Sequence, residues 1–328
     1  MDAILNYLKE SQCRVEELKS EGKTATEIYS YFDTAEWDDF CNAHLERFLS
    51  ESIDNLSAYY SERKDEQSSY TERLCSIWGD GFAWMRRFYA VCQYICEQHQ
   101  VFIQARTALD KPNAFEALMK IQKRAMQVYA EIICLLENGF PGGACMHTRT
   151  LYELWIIAEL LFNDTDAVSG AFLASEGSKD DEHYDWAKTS EKFKDKEHVT
   201  FGQIRRRVEK DFEDTRSSMS KRKVKRNWDH LYTLQSQLIH PCAEGIQGNV
   251  FYLNGEPVPM ERSLHGLRDP AINASIFVFN MSELLLSLNP SKITRIGCDI
   301  LDVMIGQKIN PVFEGVEAMQ SFEREIDS

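Results

Sequence analysis

The stretch that decides the fold is GGACMHTRTLYELWIIAELLF, residues 142–162. Apolar residues recur on nearly every side of a 3.6-residue period, which predicts a helix buried almost all the way round. Arg149 and Glu153 stand one turn apart on it, on the same side as Met146, Ile156, Ile157 and Leu160. A charge pair among such neighbours is costly to bury. It is either a structural ion pair or half of a site whose other half lies elsewhere in the chain.

Working outward, ENGFPGG at 137–143 reads as a turn that reverses the chain. A helix over 112–138 precedes it, with Pro112 at its start, and another fills about 70–107. Upstream, 51–70 is polar and reads as a linker or an exposed helix. Residues 3–20 and 24–32 form two short helices, the first ended by Gly22 and the second capped by Thr24 with Glu27 completing a capping box. A third starts near Thr34.

Downstream, Asn163, Asp164 and Thr165 offer the next cap. Residues 165–196 read as helical and increasingly charged, with a mobile connection around 176–200. Helices then cover about 200–215 and 220–239, the latter stopping at Pro241. NVFYLNGEPV, 249–258, is the one strand-like piece, with Asn254-Gly255 as a hairpin turn. A helix over 268–288 takes Asp269 as cap and Pro270 as first residue. Two terminal helices start near Asn289-Pro290 and Asn310-Pro311. Eight prolines and 16 glycines in 328 residues leave room for long helices, so the fold is mainly α.

The formal charge of −15 argues against a protein that coats nucleic acid nonspecifically. Its distribution is uneven. Residues 1–80 hold 8 Lys/Arg against 18 Asp/Glu, whereas residues 203–226 hold 10 against 4. The basic block reads either as a solvated helix and loop or as a phosphate-facing patch of Arg205, Arg206, Arg207, Lys221, Arg222, Lys223 and Lys225. No apolar run reaches 18 residues and no basic-then-apolar leader opens the chain, so neither membrane span nor signal peptide is expected. Nine scattered cysteines fit a reducing, cytoplasmic setting. Cys92 and Cys96 lack a second Cys/His pair at zinc spacing, so no metal and no cofactor is expected.

The second chemical stretch is RNWDHLYTLQSQLIHPCAEG, 226–245. On a helix Leu231, Leu234 and Leu238 share one face, while Asp229, Thr233, Ser236 and His240 line the other. That stripe either faces solvent, with His240 bonding the last carbonyls of its helix, or faces Arg149 and Glu153 across a cleft. No phosphate-cradling glycine loop, Gly-x-Ser-x-Gly or His-Glu-x-x-His occurs.

The order of these pieces over about 115–290 resembles an uncharacterised bacterial family catalogued as a domain of unknown function. It carries Arg-x-x-x-Glu on one apolar helix and Ser-x-x-x-His on a later one, here Arg149, Glu153, Ser236 and His240. That family is similar in character to the HEPN helical domains, which include dimeric ribonucleases used as toxins and phage-defence effectors. The resemblance implies a HEPN-like multi-helix bundle over 66–328, a homodimer and an RNA or nucleotide ligand. Against it, HEPN ribonucleases space an arginine and a histidine by four to six residues, and here Arg226 and His230 have three between them. They remain secondary candidates. RNA cleavage through the 2′-hydroxyl needs a base, an acid and a cation for the phosphorane, which histidine, a second polar group and arginine supply without metal. The other reading is a non-catalytic interaction or ligand-sensing domain in which the same residues form a polar network.

The module over 1–62 resembles half of a helix-turn-helix. Its would-be recognition segment carries Glu36, Asp38 and Asp39, which repel phosphate and point to a protein partner instead.

Overall fold

A computed structural model describes residues 2–32, 34–43, 56–104, 109–175, 184–215, 252–253, 256–257 and 262–327. They are mainly helical and divide into two compact units, Met1–Glu72 and Arg73–Ser328.

In the first unit α1 (Asp2–Ser20) ends where Gly22 turns to φ +79°. Lys23 N–H then bonds Leu18 O at 3.1 Å and Gly22 N–H bonds Lys19 O at 3.0 Å, a Schellman closure that needs the glycine. Thr24 caps α2 (Ala25–Tyr31): its N–H donates to Glu27 Oε2 at 2.8 Å, and its Oγ1 accepts Glu27 N–H at 3.4 Å. These bonds from Thr24 hold the Glu27 carboxyl below the usual carboxylate range. Helix α3 follows at 35–43. Arg14 ties α1 to this end of the unit, donating to Tyr31 Oη at 3.1 Å and Glu36 at 2.9 Å.

One helix, α4 (Leu56–Gln104), runs 49 residues and includes most of the polar stretch before residue 70. In the second unit its apolar stripe packs on α5 (Pro112–Glu137), with Phe88 edge-on to Tyr129 at 5.8 Å. Pro112 at the first turn costs α5 no hydrogen bond. Gly139, at φ +78°, closes α5, and Phe140 N–H bonds Leu135 O at 2.8 Å. The chain thereby reverses into α6 (Pro141–Asn163), again with proline in the first turn. The other ends are fastened reciprocally. Lys111 Nζ donates to the carbonyls of Phe162 and Asp164 at 2.8 Å each, capping α6. Asp166, opening α7 (Asp166–Ala174), accepts Ala114 N–H at 2.9 Å at the start of α5.

After residues 176–183, which are not described, helix does not continue to 196 as expected. A 3-10 turn, Asp185–Thr189, leads into turns, and 184–200 is tied by hydrogen bonds and buried side chains; the first part of the connection expected around 176–200 lies outside the described residues. Tertiary bonds override the local propensity: Ser190 Oγ donates to Asp164 Oδ2 at 2.7 Å, Tyr184 N–H bonds Val199 O at 2.8 Å, and Phe193 and Val199 are buried. Helix α8 (Phe201–Thr215) lies on α6 through buried Ile204 and Val208. Two-residue strands β1 (Tyr252–Leu253) and β2 (Glu256–Pro257) pair antiparallel, Tyr252 opposite Pro257.

Helix α9 (Arg268–Ser287) completes the core with α5 and α6. Trp155 stacks on Phe277 at 6.0 Å, and Tyr129 Oη bonds Ser275 Oγ at 2.8 Å. The expected Asp269 cap is displaced. Leu267, fully buried, stands at the N-cap position, so Asp269 and Pro270 fall inside the first turn, where Pro270 still costs no bond. Ser291 caps α10 (Lys292–Met304) in a box with Thr294. The next helix does not start afresh at Asn310-Pro311. A π-helical turn, Ile305–Ile309, joins α10 to α11 (Asn310–Asp327), and Asn310 N–H reaches back to Ile305 O. Pro311 has no N–H to give a regular helix, and the wider turn before it absorbs the defect.

Candidate functional site

Arg149 and Glu153 lie on α6 as a formed ion pair, Nε to Oε1 2.8 Å. The α6 residues around them, Leu151, Tyr152, Trp155 and Ile156, are at most 2 % exposed. The pair itself is not sealed in: the side chains are 19 % and 36 % exposed, and Met146 on the same side is 41 % exposed. The helix thus has an open margin where the sequence suggested apolar cover all round. The cost of a fully buried charge pair does not arise.

A second polar pair on α6, which the sequence did not announce, reaches α8. Tyr152 Oη donates to Glu209 Oε1 at 2.8 Å, fixing α8 to α6, and Arg205 Nε lies 3.7 Å from the same oxygen. The Tyr152, Glu209 and Arg205 contacts form a polar seam between α6 and α8. Nothing in sequence pairs residues 57 apart; only the i,i+4 spacing of Arg205 and Glu209 was visible.

The arginines of α8 are largely engaged within their helix. Arg207 Nε pairs with Asp211 at 3.0 Å, and Arg206 donates to Gly202 O at 3.1 Å. Helix α8 carries four Lys/Arg and four Asp/Glu, so the surplus of the 203–226 block resides wholly in 216–226. Lys221, Arg222, Lys223, Lys225, Arg226, His230, Ser236 and His240 lie outside the described residues. Whether Ser236 and His240 approach Arg149 and Glu153 is therefore not part of the described geometry.

A cavity of about 550 Å³ opens further along α6, where α8, α9 and the turn after Ser190 meet. Its polar lining includes Glu159, Asn163, Lys192, Asp211 and Glu283. Trp155 Nε1 and Asn163 Nδ2 donate to Glu159 at 3.2 and 3.0 Å. Lys192 Nζ bridges Asp211 at 3.0 Å and Asp164 at 3.6 Å. These contacts engage Glu159, Lys192 and Asp211 of the lining. Among the described residues no group of three or more His, Cys, Asp or Glu is placed to hold a metal, and no helix is long and apolar enough to cross a membrane.

Residues 115–255 match the model of a family of unknown function, DUF5677. The resemblance to an uncharacterised domain family is borne out over this segment, which contains Arg149, Glu153, the basic block, Ser236 and His240. No curated protein and no solved structure matches the chain.

Proposed function

We propose that the second unit is a HEPN-like ribonuclease effector of bacterial phage defence, acting as a cytoplasmic homodimer. Arg149 binds the scissile phosphate and stabilises the charge that develops on it. Glu153 orients that guanidinium, His240 exchanges protons with the attacking and leaving oxygens, and Ser236 donates a positioning hydrogen bond. The basic run 216–226 holds the RNA backbone. Arg226 and His230 are its second-choice pair.

The observation that supports this reading is the exposure of the Arg149–Glu153 pair on a helix otherwise packed into the core. A pair serving only the core gains nothing from an open margin, whereas a phosphate ligand needs one. The test is cleavage of end-labelled RNA by the purified chain in EDTA, comparing wild type with His240→Ala and Arg149→Ala. Cleavage that both variants abolish is expected. A wild type inert on RNA in vitro and harmless to growth and RNA integrity when expressed in bacteria would overturn the reading.

The second reading, a non-catalytic interaction or ligand-sensing domain, draws on the Tyr152–Glu209–Arg205 contacts. They fasten α8 to α6 and use up charge that a nucleic-acid groove would present.

A further inference from the structure

We propose that the outer face formed by α4 and α10 is the surface on which a second copy of this chain docks. The proposal assigns an interface to the homodimer proposed above and is independent of any chemistry at Arg149.

Helix α4 runs antiparallel to α10 and its continuation through the π turn into α11: Gly297 of α10 abuts Ile95, Lys308 of the π turn lies over the Trp84 ring at 5.5 Å, and Phe313 of α11 stacks on Trp78 at 5.4 Å. A Cβ on Gly297 would stand 2.8 Å from Ile95 Cγ2, so α10 comes this close only because that residue is glycine. In antiparallel right-handed helices, residues one position before such a contact turn to the same side. Tyr94 and Ile296 therefore point together to one side. Cys96, one position after Ile95, turns the other way and is buried.

The outward side is apolar and open. Among the described residues, six of the nine exposed large hydrophobic side chains lie on these two helices: Tyr94 63 %, Val101 62 %, Phe102 38 %, Ile296 49 %, Ile300 45 % and Val303 45 %. Ile296, Ile300 and Val303 repeat at i, i+4 and i+7, a continuous stripe on one helix. Together the six expose on the order of 600 Å², as large as the largest apolar patch on a typical monomer. Self-pairing through them alone removes about 1,200 Å² in total, the lower edge of a specific stable interface.

The charges around the face select the occupant. Arg87 and Lys308 flank Trp84, and Asp299 and Asp302 are exposed along α10. Opposite signs on one patch suit a copy of the same patch turned by a two-fold axis. They do not suit a uniformly anionic membrane surface.

The test is mass by light scattering at 10–100 µM on the full chain, with three variants. Ile300→Asp removes the stripe's centre, Tyr94→Arg attacks the same face from α4, and Met146→Asp charges an equally open apolar residue elsewhere. The wild type and Met146→Asp should run near twice 38.0 kDa, and both face variants near 38.0 kDa with unchanged far-ultraviolet circular dichroism. If Ile300→Asp fails to fold, Tyr94→Arg decides alone, since that side chain is already mostly solvated. A wild type that stays monomeric overturns the dimer and the interface together. A dimer that both face variants retain overturns the interface only.

Discussion

Removing the Arg149–Glu153 pair should cost little stability and, in the ribonuclease reading, nearly all activity. The magnitude follows from its geometry. A pair stranded in a dry core costs about 3–5 kcal/mol to break, while an exposed i,i+4 pair contributes about 0.3–0.5 kcal/mol. At 19 % and 36 % exposure the pair is part-buried and lies between the two limits. Its order is also the weaker one, with the cation on the N-terminal side of the acid. A double-mutant cycle of Arg149→Ala and Glu153→Gln, followed by urea unfolding, should give a coupling of about 0.5–1 kcal/mol. Arg149→Ala alone should cost about 1–2 kcal/mol, because the arginine stem also covers apolar surface. RNA cleavage by the same variant should fall by more than about 100-fold, the scale of losing one stabilising donor. A coupling of 3 kcal/mol or more would show a sealed structural pair and refute the argument from exposure. Activity that falls only as far as the folded fraction does would refute the assigned role of Arg149.

Three further outcomes are expected. Gly81→Ala should destabilise by about 1–3 kcal/mol in thermal melts, since its Cβ would meet the buried Phe313 ring at 2.8 Å, whereas Gly306→Ala meets nothing within 4 Å and should be neutral or slightly stabilising. The Asp185 carboxyl is held down to about 2 by hydrogen bonds from Lys188, Val199 and His198, so it should stabilise the 184–200 connection at pH 4 and above and lose that effect as pH falls from about 4 toward 2. Carboxyl NMR titration of wild type against Asp185→Asn checks this, and an ordinary midpoint near 4 would refute it. Alkylation at pH 8 read by mass spectrometry should label exposed Cys13, Cys75 and Cys134 first. Cys145, half-buried and with its thiol pushed up to about 12 by burial, should label more slowly, and the buried Cys92 only on unfolding; early labelling of Cys92 would contradict the packing.

The parts legible in sequence are those fixed by neighbours along the chain. Gly22 and Gly139 adopt positive φ where each helix must stop, and Thr24 with Glu27 forms its box three residues apart. Pro112 and Pro141 mark helix starts for the same local reason: a first-turn residue loses nothing by lacking an N–H. The illegible parts depend on partners far along the chain. Helical propensity after residue 184 yields to Ser190, Asp164 and a buried Phe193, none of which announces the other. The Asp269 cap yields to the burial of Leu267 two residues earlier, and the Pro311 break is absorbed by the π turn before it.

The same distinction governs the candidate site. Arg149 and Glu153 were legible because a charge pair on an apolar helix is conspicuous within five residues. Their exposure was not, since it depends on how the elements distant in sequence pack around α6. Tyr152 shows the limit most clearly. By composition it is one more aromatic on the buried face, and only its bond to Glu209 reveals that it carries the polar border from α6 to α8. Tyr152→Phe keeps the ring and deletes that bond. In the ribonuclease reading it should alter the orientation of α8 and with it RNA affinity, leaving the chemistry at Arg149 intact. A rise in KM with unchanged kcat is the expected signature. A loss confined to kcat would instead place the hydroxyl among the groups that meet the transition state, and α8 would then be part of the reacting centre.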